Sequence, residues 1–301
     1  MRRRFITADV FTDQPFGGNP LAVLPDAEGL STAQMQQIAR EFNLSETVFV
    51  LPPDDPANCR RVRIFVPTRE IAFAGHPTIG TALILATIGD VQLDGPKSGI
   101  TLEMEAGLVP VNIESLDGRP SVATLTAPQK PTIREAPGHE AIATMLSLDT
   151  SQIVRAELAS CGNPFILVQV KDRAALEQST PDLNALGRIG DDVGTKEPFV
   201  FTDDAPDGFD YQARMYAPHS GIPEDPATGS AAAAFAGWLG HHDPMQDGTI
   251  RKVIAQGIEM GRPSRLAVEV DKQAGSVTAV RVTGSAVLIS EGTILVPPAP
   301  G

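Results

Sequence analysis

Apolar residues in this chain recur mostly at alternate positions, in short runs bounded by Gly, Pro and Asp, which is the spacing of half-buried strands. Ile100-Thr101-Leu102-Glu103-Met104 and Leu266-Ala267-Val268-Glu269-Val270 show it most clearly. Two segments carry helical spacing with a polar face: Thr32–Phe42 and Ala174–Gln178. The first follows Ser31, with Gln34 three residues on, a capping-box pattern. Two further segments, Ile79–Ala86 and Ala231–Leu239, are apolar or small on every side. A helix without a polar face has to be buried all round. The pattern therefore predicts an α+β protein in which strands enclose two central helices.

The two buried segments belong to an internal repeat. Gly17-Gly18-Asn19-Pro20-Leu21-Ala22-Val23 is echoed by Cys161-Gly162-Asn163-Pro164-Phe165-Ile166-Leu167-Val168, each a tight turn followed by an apolar strand. Arg63-Ile64-Phe65-Val66-Pro67 is echoed by Arg214-Met215-Tyr216-Ala217-Pro218. Gly75-His76-Pro77-Thr78-Ile79-Gly80-Thr81 is echoed by Glu224-Asp225-Pro226-Ala227-Thr228-Gly229-Ser230. Several matches in the same order, at an offset of roughly half the chain, predict two similar domains facing each other. The first domain is expected over 1–127, the second over 128–285. The three prolines of Pro128–Gly138 mark a linker, and a last strand over 286–301 is expected to complete the first sheet.

In each half, His76 or Asp225 sits where an N-cap belongs, with Pro77 or Pro226 at the first helical position. Two helix starts would then direct free amides and positive dipole ends into the gap between domains, an arrangement suited to a small carboxylate ligand. Gly75, Thr228, Gly229 and Ser230 at those starts, and Asn19 in the first Gly-Asn-Pro turn, are the expected substrate-binding residues. Ser230 and its counterpart Thr81 have a competing role, back-bonding to helix carbonyls. His is not a preferred N-cap, so capping explains His76 less well than Asp225.

Glu46 opens an apolar run, Asn43-Leu44-Ser45-Glu46-Thr47-Val48-Phe49-Val50. In an extended segment Leu44, Glu46, Val48 and Val50 share one face. A carboxyl group among apolar neighbours suits a base that must both take and return a proton. A strand-start Glu turned to solvent is the alternative, and spacing alone leaves both open.

Composition narrows the field. The chain has 301 residues, 42% apolar and 20% charged, with a net charge of −13 that repels a phosphate backbone. Arg2-Arg3-Arg4 reads as a basic start to a first strand, because Phe5-Ile6-Thr7-Ala8 runs straight into Asp9 and no signal-peptide core follows. No apolar run spans a membrane, and a cytoplasmic location is expected. Cys59 and Cys161 are too few for a disulfide framework. Arg60 and Arg61 beside Cys59 would favour a thiolate, yet both cysteines read more simply as buried or strand residues. No G-x-G, Walker A or G-x-S-x-G sequence occurs. His241-His242-Asp243 follows Gly240, which is expected to end a helix, and reads as a solvated loop; His219 has no second histidine at i+4. No metal and no organic cofactor are expected.

Taken together, Asp9-Val10-Phe11-Thr12, Pro15-Phe16-Gly17-Gly18-Asn19-Pro20, Asn43-Leu44-Ser45-Glu46-Thr47, Ala74-Gly75-His76-Pro77-Thr78 and Glu224-Asp225-Pro226-Ala227-Thr228-Gly229-Ser230 resemble the PhzF family of phenazine biosynthesis. Gln256-Gly257 with Gly261-Arg262-Pro263-Ser264 resembles a further signature. The resemblance implies a diaminopimelate-epimerase-like fold, two pseudo-symmetric domains each with a sheet rolled around a central helix, and the active site between them. It implies a cofactor-free isomerase that moves hydrogen across a conjugated system, with Glu46 as the base and His76, Asp225 and Ser230 as the other active-site residues. It also implies a homodimer. Related racemases use paired cysteines where this family does not. One departure is Arg69-Glu70-Ile71-Ala72-Phe73, in place of the Glu-Leu-Pro-Phe commonly found before the Ala-Gly-His turn. A two-base epimerase, and a carboxylate-binding scaffold without activity, are the competing readings.

Overall fold

The computed structural model describes residues 1–298; positions 299–301, the end of the expected final strand, lie outside the described residues. The chain divides into two compact units, one formed by Met1–Thr126 with the segment from Thr283 onward, the other by Ala127–Val282.

The first unit contains β1 (Arg2–Val10), β2 (Asn19–Leu24), α1 (Thr32–Phe42), β3 (Glu46–Leu51), β4 (Arg60–Phe65), β5 (Glu70–Ile71), α2 (Gly75–Thr87), β6 (Lys97–Met104), β7 (Gly107–Leu116), β8 (Arg119–Thr126) and, from the far end of the chain, β18 (Ala286–Leu295). Its sheet runs β18-β1-β2-β3-β4-β6-β7-β8. The β2–β3 and β4–β6 pairs are parallel and the others antiparallel. The expected N-terminal strand begins at Arg2, whose basic neighbours Arg3 and Arg4 pair with Asp26 and Glu291.

Helix α2 packs against strands from both ends of this sheet, β8 and β7 as well as β18, β1 and β2, so the sheet is rolled around it. Every residue from Gly75 to Ala86 is buried. Such enclosure is tolerable because a helix satisfies its own backbone polar groups except in its terminal turns. Close approach demands a small residue where the helix crosses β1 and β2: a Cβ on Gly80 would stand 2.6 Å from both Leu21 Cδ2 and Val10 Cγ2. The other face of the sheet is covered by amphipathic α1. Its Met35, Ile38 and Ala39 pack with Phe49, Leu51 and Phe65, and Ser31 forms the expected capping box with Gln34.

The second unit contains β9 (Thr132–Glu135), α3 (His139–Leu146), β10 (Ile153–Ser160), β11 (Pro164–Val170), α4 (Arg173–Gln178), α5 (Leu183–Val193), β12 (Pro198–Thr202), β13 (Tyr211–Ala217), β14 (Ile222–Asp225), α6 (Gly229–His242), β15 (Gly248–Gln256), β16 (Ser264–Gln273) and β17 (Ser276–Gly284). Its ladder, β9-β10-β11-β12-β13-β15-β16, repeats the first unit's order from β18 to β7 with the same alternation of parallel and antiparallel pairs. Helix α6 takes the central place and contacts β9, β10, β11, β15 and β16. Helices α3, α4 and α5 close an outer core with Leu158, Ile166, Val168 and Val200.

Three expectations change. Pro128–Gly138 is not a bare linker: Thr132–Glu135, between its prolines, retain their amide N–H groups and pair with β10. Gly240 does not end α6 but lets it approach β16, since a Cβ there would lie 2.5 Å from Val270 Cγ1. The helix continues to His242, whose ring packs edge-on to Trp238 and bonds Glu157 at 2.8 Å, so His241-His242 is not a solvated loop. Helices α3 and α5 were not anticipated. No helix among the described residues is long and apolar enough to cross a membrane.

The fit around Gly80 sets two effects against each other. Gly80→Ala gains up to about 1 kcal/mol of helix propensity but forces a methyl group into Val10 and Leu21, both fully buried. Overpacking of that kind costs about 1–3 kcal/mol. A net loss of stability is expected in urea unfolding; a gain would show that the sheet yields at this crossing.

Candidate functional site

In β3 the odd positions Phe49 and Leu51 belong to the α1 core. Alternation therefore turns Glu46, Val48 and Val50 to the opposite face, the one covered by α2. Because β2 and β3 are parallel, with Leu21 beside Glu46, the strand starts carrying Asn19 and Glu46 lie at the same end of the sheet. The first turn of α2 brings His76 there. His76 Nε2 stands 3.2 Å from Glu46 Oε2, and Asn19 Nδ2 donates to His76 Nδ1 at 3.2 Å.

All three side chains are buried: Asn19 is 0% exposed, His76 3% and Glu46 9%. An amide nitrogen can only donate, so Nδ1 of the imidazole is the acceptor and its proton sits on Nε2, facing the Glu46 carboxyl. Burial pushes the His76 pKa down to about 3, which leaves the ring neutral near pH 7. The Nε2–Oε2 approach falls short of an aligned hydrogen bond. Glu46 thus faces inward and is not turned to solvent.

Asn19 is placed by the turn before it. Gly18 has φ +57°, and a Cβ there would lie 2.3 Å from Val10 O, so only glycine fits between Phe16 and the end of β1. Asp9, buried near the end of β1, accepts from the Phe16 N–H at 2.7 Å and holds the same turn.

In the second unit Asp225 ends β14 and Thr228 is the N-cap of α6. The Thr228 hydroxyl donates to Asp225 Oδ2 at 2.5 Å. Gln256, at the end of β15, bonds the Asp225 carbonyl at 2.7 Å and Thr228 Oγ1 at 3.1 Å, and accepts from Thr228 N at 3.1 Å. Gly229 is buried and Ser230 is partly exposed in the first turn of α6.

The expected caps are corrected. Ala74, not His76, is the N-cap of α2, which makes Pro77 the third helical residue; Thr228, not Asp225, caps α6. The second helix starts later because Gln256 occupies the polar groups of Asp225–Thr228 and holds them in a turn. Neither cap residue makes a side-chain hydrogen bond to its own helix. The Thr81 hydroxyl, though buried, does not back-bond as Thr78 does to Ala74 O at 2.7 Å.

An unanticipated pair of contacts supports both helix starts. Arg63 forks onto Glu70 at 2.6 and 2.5 Å and lies over the Phe65 ring. Arg214 forks onto Glu224 at 2.9 and 2.8 Å and lies over the Tyr216 ring. The repeated Arg-x-aromatic sequence was the available signal. Glu70, in the segment that departs from the family pattern, thereby ties β5 to β4 just ahead of α2. A pocket of about 440 Å³ beside it is lined by Arg61, Arg63, Glu70 and Glu103 and contains none of the candidate residues.

Both cysteine thiols are shifted away from the thiolate. Burial raises the Cys161 pKa to about 12, and its thiol donates to Ala233 O of α6 at 3.4 Å. Burial also outweighs Arg60 at Cys59 and raises its pKa, in line with the simpler reading of that residue. Among the described residues no group of three or more His, Cys, Asp or Glu side chains is arranged to hold a metal ion.

The His76 ring makes stability depend on pH. Its folded pKa of about 3 lies below the ordinary 6.5, so the unfolded chain binds a proton in that window that the folded site refuses. Stability falls as pH drops from about 6.5 towards 3, with a slope of up to about 1.4 kcal/mol per unit, and is unaffected by this group above it. His76→Asn should flatten the urea midpoint between pH 6.5 and 4; an unchanged slope would mean that the folded ring takes up a proton.

The sequence matches the family described as "Phenazine biosynthesis-like protein" over residues 8–292. It is 37% identical to an uncharacterised isomerase of Mesorhizobium japonicum, over 98% of this chain and 99% of that protein. It is 35% identical to the trans-2,3-dihydro-3-hydroxyanthranilate isomerase of Pseudomonas aeruginosa, over 96% of this chain and 98% of that protein. Its fold matches the crystal structure of a PhzF-family protein of Bacillus anthracis with a TM-score of 0.89, at 24% identity over 98% and 99% of the two chains. A hydroxyproline epimerase of Agrobacterium vitis has the same fold with a TM-score of 0.69, at 18% identity over 99% and 94%.

Proposed function

The chain belongs to the phenazine biosynthesis-like protein family and is an isomerase, and from that premise we propose that Glu46 is its proton carrier. The carrying observation is the neutral imidazole of His76, fixed by Asn19 and presenting its Nε2 proton to the Glu46 carboxyl. A neutral ring at that position forms no ion pair with the carboxyl that would weaken it as a base. Glu46 removes a proton next to an activating group of a small cyclic or unsaturated amino or hydroxy acid, and the resulting carboxylic acid returns it elsewhere on the same face. The delocalised electrons of the intermediate anion make the second site basic. No redox change accompanies the shift, so the reaction needs no external oxidant or reductant.

Asp225 orients the amino or hydroxyl group of the substrate, and Asn19, Gly75, His76, Thr228, Gly229 and Ser230 bind its carboxylate and the developing charge. Two helix starts without a side-chain cap support this assignment. The relatives named for trans-2,3-dihydro-3-hydroxyanthranilate make that compound the first substrate to test. A homodimeric, cytoplasmic enzyme belongs to the same reading, on the strength of the family resemblance, and sedimentation at micromolar concentration checks the dimer.

Glu46→Gln keeps the shape and removes the base. Turnover of trans-2,3-dihydro-3-hydroxyanthranilate, followed by proton NMR, should drop by about two orders of magnitude or more; wild-type turnover in the variant would remove Glu46 from the chemistry. Carried out in D2O, a one-base shift retains part of the substrate hydrogen, whereas a two-base epimerase exchanges it.

Alkylation separates this reading from thiol chemistry. Neither cysteine lies at a helix start, and both thiols are shifted away from the thiolate. Iodoacetamide at neutral pH should leave turnover within about twofold of untreated enzyme; rapid inactivation would point to a cysteine in the reaction.

A further inference from the structure

The segment Asp225-Pro226-Ala227-Thr228 is neither strand nor helix over its last three residues, yet its hydrogen bonds have a single consistent direction. Gln256 is 0% exposed and meets three atoms of this turn. Its Oε1 faces a donor, the Thr228 N–H at 3.1 Å, and its Nε2 faces an acceptor, the Asp225 carbonyl at 2.7 Å. Those two partners fix which end of the amide is which. Nε2 also reaches Thr228 Oγ1 at 3.1 Å, so that oxygen accepts there and keeps its own proton to give. The proton goes to Asp225 Oδ2, 2.5 Å away.

The backbone on either side is equally constrained. Gly257 has φ +75°, and a Cβ on it would stand 2.6 Å from Pro226 O and 2.5 Å from Arg262 O. The turn therefore rests directly on the main chain next to Gln256, and no other residue type fits beneath it. Thr228 makes no side-chain cap to α6; its hydroxyl instead donates to Asp225 and accepts from Gln256.

We propose that Gln256 is a positioning residue: through the relay Gln256 N–H to Thr228 O–H to Asp225 carboxylate, it aims the Asp225 side chain and keeps it ionised as a hydrogen-bond acceptor. The inference rests on the reading that Asp225 orients the substrate. What selects glutamine is polarity. A glutamate of the same shape has no donor, so its second oxygen would meet the Asp225 carbonyl and draw the Thr228 hydroxyl proton towards itself. Asp225 would then lose its donor without any loss of volume.

The test uses full-length protein labelled with 13C-aspartate, with the Asp225 carboxyl resonance identified by its loss in Asp225→Asn. In Gln256→Glu, in the neutral Gln256→Met and in Thr228→Val, the midpoint of the Asp225 carboxyl titration should move up by about one pH unit or more, because hydrogen bonds to the charged form are removed. The shift in the Gln256→Met/Thr228→Val double variant should not exceed that of either single change, since both cut one relay. Turnover of trans-2,3-dihydro-3-hydroxyanthranilate should fall about tenfold or more with the acid limb of its pH profile displaced upward. An unmoved Asp225 titration in any folded variant overturns the proposal; Gln256→Met supplies that result if Gln256→Glu does not fold. Full turnover in Asp225→Asn would instead overturn the substrate role of Asp225, and the titration would still decide the relay.

Discussion

A helix with no polar face can exist in water only if something surrounds it, and that requirement organises each unit of this protein. Along its sides α2 has nothing to offer but apolar and small groups, so the sheet curls until strands from both of its ends touch the helix. Glycine is forced where the backbone of the helix presses on β1 and β2, and the same pressure puts Gly237 of α6 against Pro131 and Cys161. The enclosed helix has just one kind of polar surface left, its terminal backbone groups. A sheet can wrap the flanks of a cylinder but not its end. The helix start is therefore where polar side chains reach an otherwise apolar interior, and His76 and Ser230 stand there in the two units.

That placement decides the electrostatics of the Glu46 cluster. Charging His76 would require desolvating an imidazolium among apolar groups, and burial opposes this strongly enough to bring its pKa to about 3. The nearby carboxyl at 3.2 Å would favour the charged ring, but burial outweighs it. The consequence is a polar but uncharged partner for Glu46. An ion pair would lower the carboxylate's affinity for a proton and so weaken it as a base. A neutral ring held by Asn19 spares the Glu46 carboxyl that effect. Glu46 is the first residue of β3, at the strand end that meets the start of α2.

Much of this was legible from residue order. The two stretches with no polar face identified the central helices, alternation identified β6 and β16, and the Ser31–Gln34 pair located the start of α1. Glu46 was ambiguous because alternation says which residues share a face and not which way that face points. Its direction came from the α1 core claiming Phe49 and Leu51. Helix α5 was hidden by Gly187 and Gly190, the latter required by close packing on Lys196 and the Thr195 carbonyl. Its Asp182 cap and terminal Gly194 are clear only once the helix is known. The Arg–Glu forks were missed because seven and ten residues separate the partners, distances set by hairpins and not by a helical or strand period.

The two units share a sheet order but use the matched segment differently. Gly75-His76-Pro77-Thr78 is the first turn of a helix, whereas Glu224-Asp225-Pro226-Ala227 is the end of a strand and a turn. A common scaffold explains how both survive. In each unit a half-buried Arg forks onto a Glu across a short hairpin, and a bidentate pair sheltered by an aromatic ring holds geometry better than an exposed one. With the hairpin fixed, the following residues are free to differ. In one unit they bury a neutral ring, and in the other they present a carboxylate bound by Thr228. Duplication of a frame need not duplicate its chemistry. The same anchoring that repeats the fold lets one helix entrance carry a neutral N–H group and the other a hydrogen-bonded carboxyl.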